Sequence, residues 1–389
     1  MKQGRTLPDL ATELERQAGA KRDFLAPAEA LCVQSNGHTN LIVKDTYTVN
    51  EVAHGQLAEY LGIPKGFYDR LRGATSDLRV PLRGVLPEAD MEAGQDIPAD
   101  ASLFDAMMNC LLRNKAGDTR LVRTLDGNVR AFLSQSFNID LDNYDVLRMA
   151  ARAMEEAGLC PENVAACEVT ERRLYLKVVS PRLEARIEPS NLHREHGGHH
   201  FLKEPAVVQA GFVLTNSETG LGSLSVQQTI YKLQCTNLWI SEEGYRQRHL
   251  GKALQSDGDG AVYRDDTRLA DARARLLKIR DHIAEALSET RFRTVVAQMQ
   301  QSTEIRLEGG PEKVVEVTAR RFGLNQGEKD EVLRQLIEGA DLSYWGLSNA
   351  VTAAAQNVPS FDRATEIEAI GGRMFALPKG EIQEIVMAR

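Results

Sequence analysis

The chain has 389 residues, of which 42% are hydrophobic and 26% charged, and its 47 lysines and arginines against 55 acidic residues give a formal charge of −8. This composition is typical of a folded protein, and the length allows two or three packed units. The negative charge excludes a protein that coats nucleic acid by bulk attraction, so any nucleic-acid site must be a local basic patch.

The cysteines and the N-terminal residues indicate the compartment. The five cysteines form no C-x-x-C pair, so neither a disulfide framework nor a zinc knuckle is predicted. The first 17 residues lack the apolar core of a signal peptide, and no run of eighteen apolar residues occurs. We expect a cytoplasmic protein that does not contact a membrane.

A mixed N-terminal segment is predicted over residues 1–83. Its pattern indicates a helix over 7–18, a strand over 41–49 and two helices within 51–73 that are separated at Gly62. Pro64 suits the first turn of the second helix.

The helix pair at residues 56–71 has two interpretations. It resembles a helix-turn-helix, in which the second helix would read DNA. However, Gly66 weakens that helix, and Phe67, Tyr68 and Leu71 are typical of packing. We therefore favour a structural helical hairpin.

Residues 84–98 are rich in Pro, Gly and acids without periodicity, which predicts a linker or loop. A strand-rich α+β unit is predicted after it, over residues 101–240. Asp126-Gly127 suits a two-residue hairpin turn, because both positions tolerate positive φ. The predicted helices are 102–114 and 142–157, and the predicted strands are 119–125, 128–135, 164–169, 173–179, 183–187, 206–215 and 224–233.

Helical periodicity dominates from about residue 262 and predicts a helical unit over 262–376. The fold class is therefore α+β, with a central, mostly antiparallel sheet unit and a C-terminal helical unit. One long helix carries an apolar seam that needs a partner, and packing within the protein is favoured over a subunit interface. The seam consists of Leu269, Ala272, Leu276, Ile279, Ile283 and Ala286.

Two stretches resemble a known family: LVRTLDGNVRAFLSQSFNIDLDNYDVL at 121–147 and VLTNSETGLGSLSVQQTIYKLQCTNLWI at 213–240. They are similar to the phage/plasmid-like protein family known only as a domain of unknown function. Residues 53–71 and 345–356 are similar to its N-terminal and C-terminal portions. The resemblance implies a place on mobile elements, among anti-restriction and DNA-maintenance genes, and it transfers no catalytic residue.

Most enzyme signatures are absent from the sequence, so an enzyme is the less favoured interpretation. There is no phosphate loop, HExxH or G-x-S-x-G motif, and Gly220-Leu221-Gly222 lacks the third glycine of a dinucleotide fingerprint. Asp140 and Asp142 could hold magnesium, but we favour a helix cap, because Asp142 opens a predicted helix. No catalytic residue, metal or cofactor is assigned.

An irregular segment is predicted over 188–205, and it concentrates four histidines, His193, His196, His199 and His200. A metal site needs fixed geometry, which a glycine-flexed, charged loop does not supply. We therefore predict a solvated or DNA-facing loop that is metal-free and more mobile than its neighbours.

The candidate binding face follows from strand periodicity. If Leu174, Leu176 and Val178 face a core, Arg173, Tyr175 and Lys177 lie on the opposite face. The same division predicts that Arg130 and Phe132 face outward, flanked by Arg182 and Arg186. Such side chains pair with phosphates and stack on bases, as in sequence-tolerant single-strand binders, although an ordinary solvated face has the same pattern.

The leading hypothesis is a non-enzymatic DNA-binding protein of phage or plasmid replication or recombination. It would hold or anneal single-stranded DNA on its sheet surface, as a homo-oligomer. The first alternative is a protein-interaction module, such as an inhibitor of a host defence system, which the acidic surface and the apolar seam would suit. A metal-dependent nuclease is the second.

Overall fold

The structure is a computed structural model, and its architecture is α+β, with two mostly antiparallel sheets and a C-terminal helical region. No helix in the described part of the chain is long and apolar enough to cross a membrane. The described residues are 1–35, 38–42, 45–74, 78–81, 100–137, 141–189, 193–196, 199–202, 204–248 and 265–388. The predicted linker at 84–98 lies outside them.

The N-terminal segment supplies three helices and most of a six-stranded sheet. Its elements are α1 (Leu7–Ala20), β1 (Arg22–Pro27), β2 (Cys32–Ser35), β3 (Thr39–Ile42), β4 (Thr46–Val49), α2 (Glu51–Tyr60), α3 (Lys65–Ala74) and β5 (Arg79–Pro81). The predicted strand over 41–49 is two strands, β3 and β4. Tyr68 of α3 is fully buried and its hydroxyl lies 2.8 Å from Nδ1 of His54, which agrees with a structural helical hairpin.

The predicted hairpin completes the first sheet. The elements here are β6 (Asp100–Ser102), α4 (Leu103–Arg113), β7 (Thr119–Leu125) and β8 (Asn128–Ser134). Asp126 and Gly127 have φ values of 51° and 77°, as the turn prediction requires. The strand order is β1-β7-β8-β4-β3-β2, in which β4 and β8 are parallel. This hairpin therefore joins the N-terminal strands, across the predicted boundary between the first two units.

A β-bulge at Arg130 changes the phase of β8. Thr124 pairs with Val129 while Arg123 pairs with Ala131, so Arg130 is the extra residue. Val129 and Phe132 consequently pack into the same core, and Ala131 and Leu133 into another. The predicted outward face of this strand, with Arg130 and Phe132 exposed, is wrong for this reason.

The second sheet has five strands in the order β15-β14-β13-β10-β9. The elements of this region are α5 (Asn143–Glu156), β9 (Val164–Val169), β10 (Leu174–Ile187), β11 (His193–His196), β12 (His199–Leu202), β13 (Ala206–Asn216), β14 (Leu224–Lys232) and β15 (Asn237–Gln247). The two strands predicted at 173–179 and 183–187 form the single bulged strand β10. The segment predicted as irregular contains the β11–β12 hairpin. The prediction that its four histidines bind no metal remains untested.

Helices follow to the end of the chain, as predicted. They are α6 (Asp265–Ala286), α7 (Glu289–Ser302), α8 (Pro311–Phe322), α9 (Gln326–Gly339), α10 (Tyr344–Ala354), α11 (Phe361–Phe375) and α12 (Lys379–Val386). The seam of α6 packs within the protein: Ile279, Ile283 and Ala286 share a core with α5 and the second sheet, whereas Leu269 is 69% exposed. The seam is therefore largely occupied in the monomer.

The two faces of the second sheet are both covered. Leu174, Leu176 and Val178 pack in one core with α1, α5 and α6, which confirms the predicted phase. On the opposite face α11 lies across the sheet, so Tyr175 and Lys177 are each 1% exposed. The prediction that these two residues lie on an open face is wrong, because the C-terminal helices cover it.

The approach of α11 to β15 depends on a glycine. A Cβ at Gly372 would overlap the carbonyl oxygen of Ile240, so only glycine lets the helix and strand backbones approach this closely. Nearby, the rings of Trp239 and Trp345 stack with centroids 5.1 Å apart. The contact that covers the second sheet therefore tolerates no larger residue at position 372.

The substitution Gly372→Ala should lower the free energy of unfolding by about 1–3 kcal/mol, since overpacking displaces α11. Gly380→Ala in α12 is the matched control: an added Cβ there meets nothing within 4 Å. The control should be neutral or stabilising by up to about 1 kcal/mol. Urea unfolding of both variants measures this, and equal stabilities would show that the close approach is not required.

Candidate functional site

A loop between β13 and β14, residues 217–223, joins the two sheets; we call it the sheet-junction loop. The hydroxyls of Ser217 and Thr219 donate to the carbonyl oxygen of Arg172, at 2.7 and 3.1 Å. Gln56 of α2 donates to the carbonyl oxygen of Thr219 at 2.7 Å and accepts from the backbone N–H of Phe132 at 2.8 Å. The loop is therefore hydrogen-bonded to both sheets.

Glu218 places a buried carboxylate at this junction. Its Oε1 accepts from the backbone N–H of Asn143 at 2.7 Å, and its Oε2 lies 3.3 Å from Nη1 of Arg130. Lys21 lies 3.6 Å from Oε1. Burial alone would raise the pKa of Glu218, but the positive charges of Lys21, Arg130 and Arg123 outweigh burial and hold this pKa below its ordinary value. Glu218 is therefore ionised at neutral pH.

Arg123 and Asp142 complete this network. The Arg123 guanidinium donates to both carboxylate oxygens of Asp23, at 2.7 and 2.8 Å, and to the carbonyl oxygen of Glu218 at 2.9 Å. Asp142 occupies the N-cap position of α5, as predicted, but its carboxylate pairs with Lys21 instead of capping the helix. Arg130 is thus a structural residue in a buried ion network.

A cleft of about 900 Å³ opens between the two sheets beside this loop. Four arginines line it, Arg120, Arg173, Arg246 and Arg248, and Glu59 is the single carboxylate among its described lining residues. The other lining residues are Gln56, Tyr60, Phe132, Leu133, Ser134, Phe137, Gly220, Gly222 and Ser223. This arginine cleft is the local basic patch that an acidic protein needs in order to bind an anion.

Arg120 is half-buried in the cleft without a carboxylate partner among the described residues. Its guanidinium carbon lies 4.5 Å from the ring centroid of Tyr60 and 5.0 Å from that of Phe132. Its Nε has no hydrogen-bond partner in the described part of the protein, and burial lowers the pKa of Arg120. Asp118 and Glu59 lie close enough to act on Arg120 electrostatically, but neither forms an ion pair with it, so an anionic ligand could add a direct partner.

Arg173 is held across the sheet-junction loop. Its Nη2 and Nε donate to the carbonyl oxygen of Leu221, at 2.6 and 3.2 Å. A Cβ at Gly222 would overlap the Arg173 side chain, so glycine is needed for this placement. The guanidinium also lies close to the Tyr175 hydroxyl, at the point where the cleft meets strand β10.

Arg246 and Arg248 extend the positive charge to the rim of the cleft. Both are exposed at the end of β15, and neither forms an ion pair with a described residue. Arg246 and Arg248 are two residues apart, so in an extended chain their side chains point to the same side. Arginine occupies every second position in Tyr245-Arg246-Gln247-Arg248. This pattern could have indicated a basic strand face, but it was not predicted from the sequence.

The structure separates the seven predicted site residues. Phe132 and Arg173 line the arginine cleft, although Phe132 is nearly buried. Arg130 lies in the Glu218 network, and Lys177 pairs with Glu368 in the interior. The hydroxyl of Tyr175 donates to Asp362 at 2.6 Å.

Arg182 and Arg186 are exposed beyond the bulge of β10, and Arg182 donates to the carbonyl oxygen of Ala157 at 3.0 Å. Neither lines the cleft. Arg130 and Arg173 belong to different sheets, so the predicted single binding face does not exist.

Comparison of the chain with family models, with curated proteins and with solved structures found no match. The resemblance to the phage/plasmid-like family therefore stays a prediction from the quoted residues. No group of three or more His, Cys, Asp or Glu side chains that could hold a metal ion occurs among the described residues.

The substitution Glu218→Gln should lower the free energy of unfolding by about 3 kcal/mol at pH 7, because it leaves Arg123 and Arg130 buried with less compensating charge. Since the pKa of Glu218 is lower in the folded protein, its contribution is complete above the ordinary glutamate pKa and is lost as pH falls through the folded value. The difference between wild type and variant should therefore shrink between pH 7 and pH 3.

Glu312→Gln, which removes an exposed carboxylate of α8, is the control and should change stability by less than about 0.5 kcal/mol. Urea unfolding across this pH range measures both variants. A Glu218→Gln protein as stable as wild type at pH 7 would contradict the central role of the network.

Proposed function

We propose that the protein binds single-stranded nucleic acid, with the phosphates in the arginine cleft, and that it serves DNA replication or recombination of a phage or plasmid. The observation that carries this proposal is the set of four arginines that lack carboxylate partners among the described residues, on a protein of net charge −8. Arginine is suited to phosphate because its donors form a planar fork.

The cleft supports contact with the phosphate backbone more than stacking on bases. Phe132 is 2% exposed, and the rings of Tyr60 and Phe132 already contact Arg120. Burial and the hydrogen bond to Asp118 raise the pKa of Tyr60 to about 12, so its hydroxyl is neutral and does not repel phosphate. Phosphate contacts give affinity that is tolerant of sequence and sensitive to salt.

The two alternatives have less support. A protein-interaction module would use the apolar seam of α6, but most of that seam packs against α5 and the second sheet. A metal-dependent nuclease needs several residues that hold a metal, and the described lining of the cleft offers four arginines and a single carboxylate, Glu59. A cytoplasmic site of action and a homo-oligomer remain part of the proposal.

The double substitution Arg246→Gln/Arg248→Gln should weaken binding of a mixed-sequence single-stranded 20-mer on the order of tenfold at low salt, because two phosphate contacts are lost. The slope of log affinity against log salt should fall by about 0.7 for each charge. Fluorescence anisotropy measures both quantities.

The matched control is Arg293→Gln/Arg320→Gln, which removes two exposed arginines of α7 and α8 that do not line the cleft. This control should bind nearly as wild type does. Absence of single-strand binding by the wild type at low salt, or equal losses in both double variants, would refute the proposal.

The substitution Gly222→Ala tests whether the position of the Arg173 side chain matters, independently of its charge. The added methyl group should displace Arg173 from the carbonyl oxygen of Leu221 while the net charge of the protein stays the same. We expect a severalfold loss of single-strand affinity with little change in stability, because the side chain that moves is flexible. Unchanged affinity would show that the held position of Arg173 does not matter.

A further inference from the structure

A second, smaller cavity adjoins the arginine cleft. It has a volume of about 280 Å³ and shares Arg173, Ser223 and Arg246 with the cleft, so the two cavities adjoin, and together we call them the groove. Helix α11 and strands β13 to β15 form its walls. We call it the annex.

The annex differs from the cleft in its chemistry, because acceptor atoms line it beside the two arginines that it shares with the cleft. The Asp362 Oδ1 accepts from the Tyr175 hydroxyl at 2.6 Å and from the Thr170 hydroxyl at 3.1 Å, whereas Oδ2 accepts from no described residue. The Oε2 of Glu366 lies 2.9 Å from Nη1 of Arg363, and its Oε1 has no donor in the described part of the chain. Two carboxylate oxygens are thus left for a ligand.

Gln227 adds a neutral acceptor. It is 9% exposed, and its Nε2 donates to the carbonyl oxygen of Ser241 at 2.6 Å, which orients the amide. Its Oε1 accepts no hydrogen bond within the described ranges of the chain. The nearby hydroxyls of Thr215 and Ser225 lie 2.8 Å apart and bond to each other. The annex therefore offers acceptors to a ligand group that carries N–H donors.

We infer that the annex is a base pocket that selects nucleobases with an exocyclic amino group when a strand lies in the arginine cleft. This inference rests on the proposed function, since it is the arginines that would bind the phosphates next to the base. Carboxylates accept hydrogen bonds from the amino group of cytosine, whereas thymine offers a carbonyl oxygen at the same place. Thymine there would meet the carboxylates of Asp362 and Glu366 with like-signed partial charge.

The annex can accept a base only from an unpaired strand. In a duplex each base is stacked and paired within the helix and cannot enter a pocket, whereas an unpaired base can be turned out of the strand. Asp362 and Glu366 also repel a phosphate that passes beyond Arg246. The groove therefore fits one base in the annex and its adjoining phosphates in the cleft.

The test compares oligo-dC and oligo-dT of ten nucleotides by fluorescence anisotropy at pH 7.5 and low salt. The wild type should bind oligo-dC about five- to tenfold more tightly, the value of one amino-group contact. Asp362→Asn keeps the acceptor for Tyr175 but replaces one carboxylate oxygen by a donor, and it should reduce the preference to within about twofold.

Asp330→Asn is the matched control, because it removes an exposed carboxylate of α9 that lies outside both cavities. This control should keep the preference for oligo-dC. It also shows how much affinity for DNA is gained merely by removing one negative charge. Glu366→Gln is the second annex variant and serves if Asp362→Asn fails to fold, which circular dichroism reports. It too should reduce the preference.

The outcomes distinguish the two proposals. Equal binding of oligo-dC and oligo-dT by the wild type overturns the base pocket and leaves single-strand binding in place. A preference that persists in both annex variants also overturns it, because the selection then arises elsewhere. Absence of binding to either oligonucleotide overturns the proposed function itself.

Discussion

The carboxylate of Glu218 is the constraint on which the arrangement of the two sheets depends. A buried charge costs several kcal/mol unless charged and hydrogen-bonding partners surround it. The partners of Glu218 come from the end of α1, from β8 and from the start of α5. These elements therefore have to converge on one point, and their convergence sets how the sheets meet.

The positions of the side chains in the arginine cleft depend on this junction. The loop that carries Glu218 also presents the Leu221 carbonyl oxygen and Gly222, which together position Arg173. Gln56 connects the same loop to the Phe132 backbone, beside the ring that contacts Arg120. The groups that stabilise the fold are thus adjacent to the groups that face the cleft. Hydrogen-bonded residues of the fold therefore fix the shape of the cleft.

Partners distinguish the structural arginines from those of the cleft. Arg123 and Arg130 are buried with carboxylates and belong to the fold. Arg120 is half-buried against aromatic rings and forms no ion pair with a carboxylate of the described residues. Residues that lack local compensation are typical of functional sites, where binding rather than folding supplies the missing interaction.

Local patterns predicted local structure well. The Asp126-Gly127 turn, the helices at 51–74 and the inward phase of Leu174 were readable because they depend on neighbours within a few residues. Long-range features were not readable. Lys177 lies in an alternating strand pattern typical of a solvated face, and only its partner Glu368, 191 residues later, makes its burial tolerable.

The predicted site failed in the same way. Periodicity placed Arg173 correctly but could not show that Arg120 and Arg246 reach it from other strands, since the sheet order is not encoded in local spacing. The bulge at Arg130 reversed the phase of β8 with one extra residue, and no turn or glycine marks it. Residue type indicated which side chains could bind phosphate, whereas which of them lie together could be known only from the fold.

If the arginine cleft binds a strand as proposed, the charge distribution favours contact with a short stretch of strand over coating of a long one. Beyond about 8–10 Å at physiological ionic strength the arginines of the cleft are screened, and the net charge of the protein, −8, then opposes a polyanion. Asp362 and Glu366 mark that change of sign within the groove itself. Each protein would therefore engage a few nucleotides, so covering a longer strand would require several copies in contact. Such contact between copies is where cooperativity along the strand would arise.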